Sequence, residues 1–238
     1  MIGVKLPSWL HDSACSFYVL AVFVTMLGSS IVLLMEIEKA ERAEAMRIGA
    51  PAIVDIQDFD REKHTGPAWE VYVRGQIDPS MNRELTKTED GEVKNHAQMI
   101  PLYAVNATSF AVAPDAVLFE NIYKYDSNPI GFDEMLEKRT TGKGPIGPIV
   151  EVNGLLETGT TASSMVSDAF LNANRTYDSA APLIDPFLGS REEELQLEYH
   201  PYTILAAFLV ISAVLLIYGN YVKRRSIAKR NAAQSSKP

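Results

Sequence analysis

The sequence predicts an α+β protein, with two transmembrane helices flanking one extracytoplasmic domain that carries a mostly antiparallel β-sheet. Two uncharged apolar runs, 13–35 and 201–222, stand toward the ends of the 238-residue chain. A bilayer core about 30 Å thick takes roughly 20 apolar residues in helix, and each run supplies that length. Between the runs, short segments alternate apolar and polar residues with period two and are bounded by Gly, Pro, Asn and Asp. That is strand patterning, and it gives way to helical spacing toward the end of the domain.

The elements follow in order. Residues 1–12 form a short cytoplasmic head and 13–35 the first span. That span is too long and too uniformly apolar for a cleaved signal and lacks a small-x-small site before Glu36, so it reads as a signal anchor. Residues 36–48 begin EIEKAERAEAMR, rich in helix formers, with Glu38 and Arg42 as an i,i+4 pair; they extend the helix as a stalk that Gly49 and Pro51 end. The domain occupies 49–199. Its first strands are 52–56 and 69–75, joined as a hairpin by a longer polar loop with Gly66-Pro67. After turn signals at Asp78-Pro79-Ser80 and Glu89-Asp90-Gly91, where apolar residues are scarce, strands return as MIPLYAV, SFAVA and DAVLF, the last running on through 117–125. Residues 131–138 are a short helix. TTGKGPIGP (140–148) is a loop, since three Gly and two Pro break either regular element. A strand at 148–156, a helix at 158–174 and a short helix at 192–199 lead to the second span, 200–222, and the basic tail, 223–238.

Charge sets the expected topology. Lys223, Arg224, Arg225, Lys229, Arg230 and Lys237 follow the second span with no acid among them, which places that tail on the cytoplasmic side. Two spans return the chain to its starting side, so both termini are cytoplasmic and the domain is periplasmic or its organellar equivalent. Of the 30 acids only Asp12 lies outside 36–200, and seven of the 22 basic residues do, leaving 29 acids against 15 bases between the spans. A segment near −14 repels nucleic acid and anionic headgroups, and its favoured partners are proteins or cations. Cys15 is the only cysteine, so no intramolecular disulfide forms.

No chemical motif emerges, and the sequence assigns no catalytic, cofactor-binding or metal-ligating residue. Asp55, Asp58 and Asp60, with Glu62 nearby, could offer calcium three hard oxygens, yet the EF-hand frame and its distal Glu are missing, and a solvated strand end explains them. His11, His64, His96 and His200 fall in no zinc spacing, and His200 between Tyr199 and Tyr202 reads as an interfacial anchor. Gly142-Lys143-Gly144 is followed by Pro145 where a phosphate loop needs Ser or Thr. Neither span carries an ionisable residue at its centre, which disfavours an ion path. Thr25/Ser29 is a small-xxx-small pair that lets helices approach closely, and Asn106-Ala107-Thr108 and Asn174-Arg175-Thr176 are glycosylation sequons.

The strand end Val71-Tyr72-Val73-Arg74-Gly75, the polar spacer after it and the stretch 110–125, ending Asn121-Ile122-Tyr123-Lys124-Tyr125, resemble the LUMA family of membrane proteins over about half the chain. That family has an N-terminal span followed by a large extracytoplasmic domain. Tyr125 stands where the family pattern has Trp, and one span follows the domain where the family has several. The resemblance implies a scaffold.

The expected function is thus a non-enzymatic accessory or scaffold subunit of a larger membrane assembly, with no cofactor. Its partners would be membrane lipid, other integral membrane proteins and a second copy of itself, with nucleic acid excluded. A bacterial inner membrane fits best, an organellar membrane being the alternative. The alternative function is an extracytoplasmic ligand-binding sensor, which the short tail without an output domain disfavours.

Overall fold

The computed structural model describes residues 13–89, 92–121, 131–196 and 201–235. The expected head, the Asp90-Gly91 turn, the 122–125 end of the strand reading, the 197–200 end of the last short helix, His11, His200 and Lys237 lie outside those residues. The chain divides into two compact units, Met1–Ala40 with Glu198–Pro238, and Glu41–Leu197.

The first unit is built from two helices. Helix α1 (Ser13–Ile48) is continuous through the first apolar run and the expected stalk, its last turns belonging to the second unit. Gly49, at φ +96°, ends it. The last helix, Pro201–Ser235, runs through the second apolar segment and on into the basic tail. Both helices are long and apolar enough to cross a membrane, over Cys15–Ile48 and Pro201–Ala228. They pack antiparallel. Phe17 meets Tyr218 edge to face at 4.8 Å, Tyr18 donates to Asn220 at 2.7 Å, and Thr25 donates to Ser212 at 2.9 Å. Ser212 in turn donates to the Ala21 carbonyl at 3.2 Å. At Gly28 a Cβ would fall 2.6 Å from Phe208, so this crossing requires glycine.

The second unit holds an eight-stranded mixed sheet. Strand β1 (Val54–Asp55) is followed by the short helix α2 (Arg61–His64) and β2 (Glu70–Ile77). Next come β3 (Arg83–Glu89), β4 (Glu92–Tyr103), β5 (Ala116–Asn121), α3 (Phe132–Arg139), β6 (Thr140–Lys143) and β7 (Pro148–Glu157). Helix α4 (Thr160–Asn172), β8 (Leu183–Pro186) and α5 (Arg191–Leu195) lead to the final helix, α6. Strand β2 pairs with β7 over Glu70–Gln76 and with β4 at its far end, where Gln76 and Ile77 face Tyr103 and Leu102. Since β4 pairs with β5, β5 with β8 and β8 with β7, the ladder closes on itself as β2-β4-β5-β8-β7-β2. This is a small Greek-key barrel, a closure that removes the exposed edges of its member strands. Gly75 stands where β2 crosses from β7 to β4: a Cβ there would meet the Tyr103 carbonyl at 2.7 Å.

Alternation along the strands then sorts the core into two layers. Val71, Val73, Ile100, Leu102, Leu118, Val152 and Ile184 cluster with Phe132, Met135 and Leu136 of α3. The residues between them, Leu85, Ala97, Met99, Val117 and Phe119, turn to the opposite face and pack under Met165, Val166, Ala169 and Phe170 of α4. Burial on both faces is why MIPLY and AVLF read as unbroken apolar runs. A smaller cluster joins Ala45 of α1, Ala68, Phe187 and Leu195 of α5.

Several sequence readings change. The expected 52–56 strand shrinks to β1, and it pairs parallel to β2, because the long connection with α2 returns the chain to the starting end. SFAVA is a turn region, with the Phe110 ring packed at a tilt of 56° against Tyr103, 5.0 Å between centroids, instead of joining the sheet. Thr140–Lys143 forms the edge strand β6 within the expected loop, bulged against β7. Strands β3 and β8 were not anticipated. The sheet has six antiparallel and two parallel pairings, β1–β2 and β5–β8.

Candidate functional site

Among the described residues singled out by type, Asp55, Asp58, Asp60, His64 and His96 each have a structural partner. Asp55 binds Arg74 at 2.7 Å, and that guanidinium holds its carboxyl below the usual carboxylate range. Asp60 caps α2, accepting from Glu62 N at 3.0 Å, and pairs with Lys63 at 2.6 Å. Asp58 accepts from the Gln57 amide at 3.4 Å. His64 Nδ1 accepts from the Asp60 amide at 2.8 Å, and His96 pairs with Glu84. Among the described residues no three His, Cys, Asp or Glu side chains converge to hold a metal ion. Lys143 is exposed on β6, while Gly144 closes over Gln76, at whose Oε1 a Cβ would lie within bonding range. Asn106 and Asn174 of the two sequons are exposed, Asn174 in a left-handed turn at φ +53°. Cys15 is exposed.

Three polar centres that residue type did not disclose organise the domain instead. Glu70, fully buried, receives Arg191 in a two-pronged pair at 2.6 and 2.7 Å and the Asn153 amide at 2.9 Å. Arg191 also donates to the Ala45 carbonyl at 2.7 Å, and Arg42 donates to the Glu194 carbonyl at 2.8 Å. The bidentate geometry satisfies both carboxylate oxygens, the condition under which a desolvated ion pair is tolerated. Asp78, 1% exposed, accepts from Ser80 N and from Arg175, whose guanidinium also reaches the Phe110 carbonyl, each at 3.0 Å. Gln76, fully buried, donates to the carbonyls of Ala104, Val105 and Ala107 at 2.8–3.0 Å and accepts from Ile146 N and Gly147 N at 3.0 and 3.2 Å. Its single amide side chain therefore ties the 104–107 loop to the GKGPIG turn.

No spacing rule could have found these groups. Glu70 and Arg191 lie 121 positions apart, and Asp78 and Arg175 lie 97 apart. The one local hint is a Gln inside an otherwise apolar strand end, Gly75-Gln76-Ile77. Backbone strain adds a further feature: Ala68 and Trp69 both have positive φ, at 58° and 61°. Trp69 is left half exposed with the Arg61 guanidinium 5.2 Å above its ring.

Surface concavities occur in both units. Beside β3, a polar groove of about 300 Å³ runs between residues 83–87 and Ser164, Met165, Asp168, Ala169 and Asn172 of α4. In the helical unit, an apolar depression of about 570 Å³ lies over Ala21, Thr25, Met26, Ser29 and Leu216. Compared with known proteins, the chain matches no family model and no curated protein.

Proposed function

We propose that the protein is a non-enzymatic accessory or scaffold subunit of a membrane assembly, binding integral membrane partners through its apolar helices and presenting its acidic domain outside the cytoplasm of a bacterial inner membrane. The observation that carries this reading is the Glu70–Arg191–Ala45 bracket with Arg42 on Glu194. These contacts pin the end of α1 and the start of α5, the two segments that continue toward the apolar helices, onto one barrel strand. A desolvated ion pair that holds the last turns of α1, α5 and strand β2 together makes the second unit itself resistant to rearrangement. That suits a mount, whereas a sensor needs an element with two arrangements to report occupancy. The basic residues after the second span favour a cytoplasmic tail. The similarity of 71–75 and 110–125 to the LUMA family points the same way.

The test is extraction of native membranes with mild detergent, followed by native gel separation and mass spectrometry. Migration in a complex of fixed stoichiometry is expected. Migration alone, together with a rise in melting temperature in the presence of a single small molecule, would favour the sensor instead.

A further inference from the structure

Where the paired helices reach the basic tail, they carry hydrogen-bond donors with nothing to receive them. Asn220 Oδ1 accepts from the Tyr18 hydroxyl at 2.7 Å, and among the described residues neither N–H of the Asn220 amide meets an acceptor. Lys223 and Arg224 follow at i+3 and i+4, both exposed and without a hydrogen bond or ion pair among the described residues. Neither helix offers them an acid: α6 has none, and the first in α1 is Glu36, beyond the far end of its apolar run. Asn220 belongs to the last turn of the second apolar run, and Lys223 and Arg224 stand within about 3 Å of the end of that run. A headgroup layer about 5–7 Å thick begins there. A polar group held in apolar surroundings without a partner is costly, so the amide calls for an acceptor at that depth. The apolar depression of about 570 Å³ opens on the same side. Its wall residue Leu216 precedes Asn220 by one turn, and Ala21 follows Tyr18 by three residues. From Ala21 the depression runs inward past Val22 and Thr25.

We propose that this cleft retains one anionic phospholipid from the leaflet on the tail side. Its phosphate oxygens accept from Lys223 and Arg224, an ester carbonyl accepts from the Asn220 amide, and one acyl chain lies in the depression over Ala21 and Val22. Two positive charges with no acid beside them favour a net-negative headgroup over a zwitterionic one, which brings its own ammonium to the site. A soluble anion satisfies the cations but leaves the depression empty, so the two halves of the site together select a lipid. Arg225 supplies an internal control. It is exposed and carries the same charge at the same depth, yet lies nine residues beyond Leu216, about 180° around the helix. The site falls wholly within the helical unit, so it goes beyond the scaffold reading and stands whether or not the domain has a protein partner.

The experiment titrates the full-length protein, in a mild non-ionic detergent, with phosphatidylglycerol and with phosphatidylcholine, and reads the first bound lipid by native mass spectrometry. Phosphatidylglycerol should bind at least about tenfold more tightly, since each Lys or Arg near an anionic headgroup is worth about fivefold. Arg224→Gln should weaken that binding by about fivefold and Arg225→Gln by less than about twofold. Val22→Trp, which fills the depression, should weaken it as well. The three replaced side chains are exposed, so helical circular dichroism and melting temperature should not change. If Val22→Trp disturbs the helix pair, the comparison of Arg224→Gln with Arg225→Gln decides alone. Equal affinity for the two lipids, or full binding by a folded Val22→Trp, overturns the proposal. Equal loss from Arg224→Gln and Arg225→Gln overturns it too, leaving only the diffuse attraction of a basic tail. So does displacement of the lipid by glycerol 3-phosphate at similar concentration, because the depression would then contribute nothing.

Discussion

A single buried amide governs two loops in this domain. Gln76 makes five hydrogen bonds to backbone groups of 104–107 and 146–147, and Gly144 is held to hydrogen because any Cβ would collide with the Gln76 side chain. Gln76→Ala leaves those groups without their partner and should lower stability by about 3 kcal/mol in urea titration. Gly144→Ala should be similarly damaging in the wild type and nearly neutral in the Gln76→Ala background, since the clash is with the side chain removed. Additive losses would show that the turn fails for another reason. The Glu70 pair makes a second case. Arg191→Ala strands a fully buried carboxylate and should cost about 3–5 kcal/mol. Asp55 supplies a pH signature of known sign. Arg74 depresses its folded-state pKa, so its contribution is present above the unfolded value near 4 and is lost as pH falls through the lower folded value. Asp55→Asn should flatten that acid limb in melts run at pH 2–5, and added salt should shrink the difference.

Helix α4 shows how far periodicity carries and where it stops. Met165, Val166, Phe170 and Leu171 signal a helix, and the helix forms within one turn of the expected bounds. Yet Phe170 is 1% exposed against β3–β5 while neighbouring Leu171 is 76% exposed. Phe170→Ala should therefore lose about 3–5 kcal/mol, and Leu171→Ala should change stability by no more than about 0.5 kcal/mol. Equal effects would mean the helix is rotated from this phase. The strands that escaped prediction have physical reasons. Strand β3 reads RELTKTE, with Leu85 its single apolar residue, because its exposed face and free edge demand polar side chains. Strand β8 has four residues, all buried, too few to establish a period. The long apolar runs were legible because both their faces pack. The polar centres were not, because each is completed by a partner distant in sequence: Arg191 on α5, Arg175 after α4, and the 104–107 and 146–147 loops.

At the scale of the whole chain, charge and hydropathy make the sharpest forecast. Two helices are long and apolar enough to cross a membrane, and the second continues into a run of basic residues before Ser235. If those residues hold the tail inside, a probe that cannot cross the membrane must distinguish the domain from the tail. In a Cys15→Ser background, which removes the native thiol, Leu171→Cys should react with a membrane-impermeant maleimide on intact spheroplasts. Ser226→Cys should react only after the membrane is opened. Both positions are exposed, so reactivity reports the compartment and not burial. The reverse pattern would invert the topology and move the acidic domain to the cytoplasm. Replacing Lys223, Arg224 and Arg225 with Glu tests the cause separately: it should raise labelling of Ser226→Cys on unopened spheroplasts if tail charge sets the orientation. Unchanged labelling would assign that role to the first helix and its flanks, whose charge bias is much weaker.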